Sequence, residues 1–260
     1  MKNFSGYAKK SLGQNFLKSE KALRQIVEAA DLKKGDVVLE IGPGRGALTR
    51  KILQSEARVI AIEKDEVLAE ELKIVLADFI KTKQLEIISA DALDFDPDKH
   101  KKLNNFKLVA NIPYYITGAL IEKYLTLKNP PTSATLLVQK EVAERIVSRD
   151  KKESILSLSV KIFGEPKLIS KVPAGAFVPA PKVDSAIIHI SNVSNKVFNK
   201  DLTEKRFFEV VKAGFAHKRK QVGRNLENLV SIEKFDSCKI DPKRRAETLT
   251  KEEWICLAKD

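Results

Sequence analysis

Short apolar runs alternate with amphipathic stretches over the first two-thirds of the chain. Val37-Val38-Leu39-Glu40-Ile41 is apolar and β-branched, as a strand covered on both faces is. Similar runs recur at 58–63, 85–88, 106–110 and 134–138. Between them, apolar residues return at helical spacing over 47–55, 65–80, 117–126 and 140–148. A first helix is predicted over 19–30, with Ser19 as N-cap and Leu23, Ile26, Val27 and Ala30 on one face. Strand alternating with helix predicts a largely parallel sheet with helices on both faces, a doubly wound α/β fold. Two later strands, 167–172 and 183–190, are joined by a Pro-rich loop, not a helix. They are expected as an antiparallel pair at the sheet edge, for a total of seven strands.

The two ends read differently. Residues 1–18 are rich in Lys, Ser, Gly and Asn and form a loop-like basic arm. Residues 19–190 make the α/β domain. After a polar linker at 191–199, helical patterns at 203–215, about 221–230 and in short pieces across 242–258 predict a small all-helical domain over 195–260.

Composition narrows the class. The 260 residues are 43% hydrophobic and 32% charged, as in a soluble globular protein. No run of 18 apolar residues appears, so no membrane span is predicted. Residues 1–6 lack an apolar stretch, so no cleaved export signal is expected. Cys238 and Cys256 suggest neither a disulfide framework nor a metal cluster, and only three histidines argue against a structural metal. A reducing, cytoplasmic compartment follows as the expectation. The net charge of +12 points to a polyanionic partner, RNA or DNA, less often anionic lipid. The excess is clustered: residues 1–18 carry four lysines and no acid, and residues 205–224 carry seven basic residues against Glu209.

Candidate chemistry sits at strand ends. The first buried run leads into Gly42-Pro43-Gly44-Arg45-Gly46, where glycines let the backbone approach a ligand. A phosphate loop would need Gly-Lys-Ser/Thr, which is absent, and the spacing is Gly-x-Gly-x-Gly, not Gly-x-Gly-x-x-Gly. Glu63, ending the second run, is placed to accept ribose hydroxyls of an adenosine-containing cofactor; NAD and S-adenosylmethionine both fit. Asp91, after the third, could receive an adenine amino group. The fourth run ends in Asn111-Ile112-Pro113-Tyr114. Such a loop would suit methylation of an exocyclic base amine. The Asn111 oxygen and the Pro113 carbonyl would orient the amine, and Tyr114 would stack on the base. The bland alternative is a turn with packing tyrosines.

Together with Leu12-Gly13-Gln14-Asn15-Phe16-Leu17 and the stretch 177–185 from Phe177 through Pro179 and Pro181 to Ser185, these motifs resemble the S-adenosylmethionine-dependent ribosomal RNA adenine dimethyltransferases, most of all their bacterial small-subunit branch. The likeness runs in order along essentially the whole chain. It implies a Rossmann-like class I methyltransferase sheet with S-adenosyl-L-methionine as cofactor and no metal. Gln14, Asn15 and Leu17 would close over that cofactor. Gly42 and Gly44 would meet its amino-acid part, Glu63 its ribose, and Asp91 with Ala92 its adenine. Asn111 would serve cofactor and target, with Pro113 and Tyr114, while Phe177 would stack opposite Tyr114. Phe177 could instead anchor its Pro-rich loop in the core. Tyr115 and Thr117 stand where the family often has Asn and Ser.

The expected reaction is N6,N6-dimethylation of two adjacent adenosines near the 3′ end of small-subunit RNA, in an assembling 30S particle, by a monomer. Lys9, Lys10, Lys218, Arg219, Lys220, Arg224, Arg244 and Arg245 are the candidate RNA contacts, with a solvated face as the alternative reading. Competing functions are a large-subunit adenine N6-methyltransferase conferring macrolide resistance, a non-catalytic RNA-binding assembly factor of the same fold, and an NAD enzyme. The tail around 244–247 favours the small-subunit branch, and an NAD enzyme would lack an obvious hydride-site His or Lys.

Overall fold

A computed structural model of the chain describes residues 8–9, 12–148, 150 and 152–259. In chain order the elements are β1 (Phe16–Leu17), α1 (Glu20–Ala29), β2 (Val37–Ile41), α2 (Ala47–Leu53), β3 (Arg58–Glu63), α3 (Glu66–Val75), α4 (Ala77–Lys81), β4 (Leu85–Ser89), β5 (Lys107–Asn111), α5 (Thr117–Leu125), β6 (Ser133–Gln139), α6 (Lys140–Ile146) and α7 (Ile155–Lys161). There follow β7 (Glu165–Val172), β8 (Phe177–Val178), β9 (Ser185–Ser191), α8 (Glu204–Gly214), α9 (Val222–Leu226), α10 (Ile232–Ser237) and α11 (Lys251–Ala258).

Seven strands form one sheet in the order β4-β3-β2-β5-β6-β9-β7. The first five are parallel, and β9 runs antiparallel to both β6 and β7. Val38, Leu39, Val59, Ile60 and Ala61 are fully buried, which is why these runs contain no polar alternation. From β2 the chain winds outward to β3 and β4, then returns to add β5 and β6 on the other side. That reversal leaves a crevice at the carboxyl ends of β2 and β5, where open α/β sheets bind ligands.

Helix starts follow their caps. The Ser19 side chain accepts from Ala22 N and the Asp65 side chain from Val67 N. The helix expected over 65–80 is two, because Leu76 leaves helical angles (φ −114°, ψ 22°). Beyond the break, Phe79 and Ile80 pack against the same core that buries Leu72 and Leu76.

The chain divides into two compact units: residues up to Ala143 with Glu165–Val193, and Glu144–Gly164 with Ser194 onward. This corrects the continuous 19–190 domain of the sequence reading. The stretch 144–164 joins the helical unit through α7, whose Leu158 and Val160 are fully buried. It is tied there by Glu153 N donating to Glu247 O at 2.8 Å and Ser194 N to Phe163 O at 2.8 Å. Phe163 also meets the edge of Phe198, ring centroids 5.5 Å apart. Within this unit Gly214 lies under Trp254, where a β-carbon would come 2.3 Å from the indole. A second correction concerns the cysteines. Cys238 and Cys256 are disulfide-bonded, because the end of α10 lies beside α11 with Cα atoms 5.9 Å apart. No helix among the described residues is long and apolar enough to cross a membrane.

Candidate active site

The carboxyl ends of β2, β3 and β5 converge on a cavity of about 800 Å³, counting its open mouth. Its first wall is the loop after β2. Gly42, Gly44 and Gly46 all have positive φ, 69°, 56° and 74°. A β-carbon on Gly44 would stand 3.0 Å from the Phe16 ring, so glycine lets the N-terminal arm lie across the loop. On Gly46 it would meet Leu72 Cδ2 at 2.7 Å, so α2 could not start so close to α3.

Glu63 ends β3, only 6% exposed. Its Oε2 accepts from Gly44 N at 3.0 Å and its Oε1 from Asp65 N at 2.9 Å. Burial pushes its carboxyl above the ordinary range, while those backbone N–H groups oppose the shift. One carboxylate thus pins the glycine loop and still offers free lone pairs to the cavity. Beneath the loop, Glu40 is 1% exposed. Burial pushes its carboxyl up to about 8.

The arm is clasped over these elements. Asp65 Oδ1 accepts from Lys9 Nζ at 2.9 Å and its Oδ2 from Gln14 Nε2 at 3.0 Å. Burial pushes the Asp65 carboxyl up, but Lys9 and Gln14 outweigh it and hold the group below its usual value. Phe16 and Leu17 pair antiparallel with Val178 and Phe177, a two-stranded ribbon of β1 and β8. The Arg45 guanidinium lies 4.6 Å from the Phe16 ring centre.

Asn111, the last residue of β5, donates from Nδ2 to Asn15 O at 3.2 Å. That leaves Oδ1 as the acceptor of the amide. Pro113 O accepts Ile116 N at 3.2 Å, which occupies one of its two lone pairs. Half-buried Tyr114 exchanges a hydrogen bond with Ser185 Oγ at 2.6 Å. Phe177 lines the cavity and is also 2% exposed within the core cluster, so it both anchors its loop and presents a ring to the site. Asp91 accepts from Lys64 Nζ at 2.6 Å and Leu93 N at 2.8 Å. The Lys64 contact, above all, holds its carboxyl below the ordinary range.

The structure therefore gathers Gln14, Asn15, Gly42, Gly44, Glu63, Asp91, Ala92, Asn111, Pro113, Tyr114 and Phe177 around one cavity. Leu17 is buried in the ribbon behind it. The candidate RNA contacts fare unevenly. Lys9 is committed to Asp65, which draws it away from the phosphate role the sequence suggested. Lys10 lies outside the described residues. Arg244 donates to Glu253 at 2.5 Å and to Thr248 O, so it braces α11 and is no free phosphate ligand. Lys218, Arg219, Lys220, Arg224 and Arg245 are exposed. Sequence reasoning missed the Asp65 clasp and the ribbon. An acid at a helix N-cap, and the apolar pairs Phe16-Leu17 and Phe177-Val178 between loops, were the available signals. Among the described residues no cluster of His, Cys, Asp or Glu could hold a metal.

A glycine loop held at positive φ, a buried acid facing the cavity and the Asn-Ile-Pro-Tyr loop fit an adenosine-containing methyl donor. They define an S-adenosylmethionine-dependent methyltransferase of the Rossmann-like class. The family described as ribosomal RNA adenine dimethylase matches residues 6–259, and the chain belongs to that family. It is 39% identical to the ribosomal RNA small subunit methyltransferase A of Dehalococcoides mccartyi, covering 99% of this chain and 90% of that protein. The protein of the same description from Nostoc punctiforme is also 39% identical, over 97% and 94% of the two chains. Among solved structures, a dimethyladenosine transferase from Plasmodium falciparum aligns at TM-score 0.80 with 25% identity, over 93% of this chain and 95% of that one. The 23S rRNA methyltransferase ErmE aligns at TM-score 0.76 with 26% identity, over 94% and 98%.

Proposed function

We propose that this protein dimethylates N6 of two adjacent adenosines in a hairpin loop near the 3′ end of small-subunit ribosomal RNA, acting in the cytoplasm as a monomer on an assembling 30S particle. The observation that carries the chemistry is the loop after β5. It holds an amide oxygen (Asn111), a proline carbonyl with one open lone pair (Pro113) and an aromatic ring (Tyr114), with Phe177 lining the same cavity.

Bound S-adenosylmethionine supplies a methyl group on a sulfonium leaving group. Gly42 and Gly44 would receive its amino-acid part and Glu63 its ribose. Asp91 and Ala92 would receive its adenine, with Gln14, Asn15 and Leu17 in the arm that covers it. The target nitrogen needs help, since its lone pair is delocalised into the adenine ring. Accepting its two N–H bonds at Asn111 Oδ1 and Pro113 O orients that lone pair and favours the tetrahedral nitrogen of the transition state. Tyr114 and Phe177 hold the base plane, and the Tyr114–Ser185 hydrogen bond fixes the tyrosine ring. With that donor bound, the N–CH₃ bond would form as the C–S bond broke, and the proton would pass to water. No tuned base is required, because an alkylated amine is strongly acidic.

Support for the small-subunit target comes from the relatives that match nearly end to end under that description. The test is mass spectrometry of ribosomal RNA from cells with and without the gene. Loss of N6,N6-dimethyladenosine from the small-subunit RNA is expected. Loss confined to the large-subunit RNA would replace the proposal with the large-subunit activity, and no change in either would refute it.

A further inference from the structure

The helical unit contains a second cavity, about 630 Å³ counting its open mouth, between α9, α10 and the turn at 240–243. Two backbone bonds build it: Val222 N donates to Arg244 O at 2.8 Å and Gly223 N to Pro242 O at 2.9 Å. A β-carbon on Gly223 would stand 2.6 Å from Pro242 Cβ, so glycine is what allows this contact. The walls are chemically divided. Phe235 (1% exposed) and Val230 (8%) form an apolar floor, and Ile232 stands beside them 55% exposed. Arg224 and Lys243 line the rim.

The surrounding charge is unusual for this chain. Lys218, Arg219, Lys220, Arg224, Lys243 and Arg245 are all exposed, and the two backbone bonds bring their segments together. None of the six makes an ion pair among the described residues, whereas Lys9, Lys34, Lys64, Arg206 and Arg244 all do. Uncompensated cations around an apolar recess suit an anion that carries a flat apolar group. A lone phosphate would not use the floor, and an apolar peptide would not use the rim.

We infer that this cavity receives one unstacked nucleotide of the ribosomal RNA, its base against the exposed Ile232 side chain, its phosphates on Arg224 and Lys243. Splayed bases are how proteins read RNA that offers no accessible major groove. Glu227, also on the wall, can accept from an exocyclic base amine. The inference rests on the family's ribosomal RNA substrate and assigns the helical unit a base-reading task besides phosphate attraction.

The test compares two RNA probes, a small-subunit RNA hairpin with unpaired loop nucleotides and a fully paired duplex of equal length. Binding is followed by fluorescence anisotropy over a salt series. Ile232→Ser removes an exposed apolar wall and should leave the melting temperature unchanged. It is expected to weaken hairpin binding by about 5- to 50-fold, to spare the duplex, and to leave the salt slope alone. Neutralising Lys218, Arg219 and Lys220 should weaken both probes and flatten the slope by about 2 to 3. If Ile232→Ser binds both probes like the parent, or weakens both equally, no nucleotide enters the cavity. An Ile232→Ser protein that binds RNA normally but fails to bind a ribosomal protein would make the recess a peptide site and overturn the inference. Failure of the parent protein to methylate ribosomal RNA would instead strike the functional reading itself.

Discussion

Removing the Glu63 carboxylate tests the cofactor site most directly. Two backbone donors, Gly44 N and Asp65 N, rely on its oxygens at 3.0 and 2.9 Å. In Glu63→Ala both lose their acceptor, the glycine loop loses its tether to β3, and on the proposed assignment the ribose loses its hydrogen-bond partner. Unsatisfied part-buried donors cost about 1–3 kcal/mol. Cofactor affinity should therefore fall by about 5- to 150-fold. Glu63→Gln should fall between the two, because its amide keeps one oxygen but turns an NH₂ toward the other donor. The acid also predicts a pH effect. Burial raises its pKa above the ordinary glutamate range, and only the ionised form accepts from both donors. Affinity in the parent should drop as pH falls through that raised pKa, and the Gln variant should lack the drop. Calorimetric titration with S-adenosylmethionine and S-adenosylhomocysteine measures both effects, with melting curves to confirm folding. A folded Ala variant whose dissociation constant stays within about twofold of the parent would refute the assignment.

Asn111→Ala should abolish most methyl transfer in single-turnover assays while leaving the melting temperature near that of the parent. Tyr114→Phe should keep most activity and cost about 1 kcal/mol of stability through the lost Ser185 contact, while Tyr114→Ala should lose turnover; kcat and thermal melts separate the two. Glu40→Gln should remove a pH dependence of stability. Below 4.5 folded and unfolded chains both carry the Glu40 proton; as pH rises toward about 8 the unfolded chain sheds it first, so the parent loses up to about 1.4 kcal/mol per pH unit. The variant's stability advantage should grow over that window and level off above it, as read by denaturant titration. Gly214→Ala should destabilise the helical unit by about 1–3 kcal/mol, because its β-carbon would press on Trp254, and tryptophan fluorescence will report it.

The sheet was legible because its strands are buried on both faces. Apolar, β-branched runs such as 37–41 and 58–63 lack the polar alternation of a half-exposed strand. The antiparallel edge was legible because prolines, not a helix, connect β7 to β9. Gly42, Glu63, Asp91 and Asn111 followed from the same logic, since strand ends at a switch point are where ligands go, whereas Gln14, Asn15 and Phe177 came only through the family resemblance. What escaped was set by contacts between distant segments. Two-residue strands such as β1 and β8 carry no periodicity. The placement of 144–164 depends on partners at 194 and 247, far along the chain. Basic residues deceived for a related reason. Lys9 and Arg244 read like any surface cation, and only Asp65 and Glu253 reveal them as braces. The Cys238–Cys256 pair, eighteen residues apart in sequence, becomes adjacent only once α10 and α11 pack.

The ribbon of β1 and β8 has a kinetic consequence. Its two residue pairs join the arm that lines the cavity to the segment that carries Phe177. On the proposed assignment, any motion that lifts Phe16 and Leu17 to let a used cofactor out also breaks their pairing with Val178 and Phe177. Refilling the donor site and loosening the base are then one mechanical event. Dimethylation of two adenosines consumes four donors, so the RNA's grip would be reset between methyl groups, and singly methylated RNA should accumulate before the fully modified product.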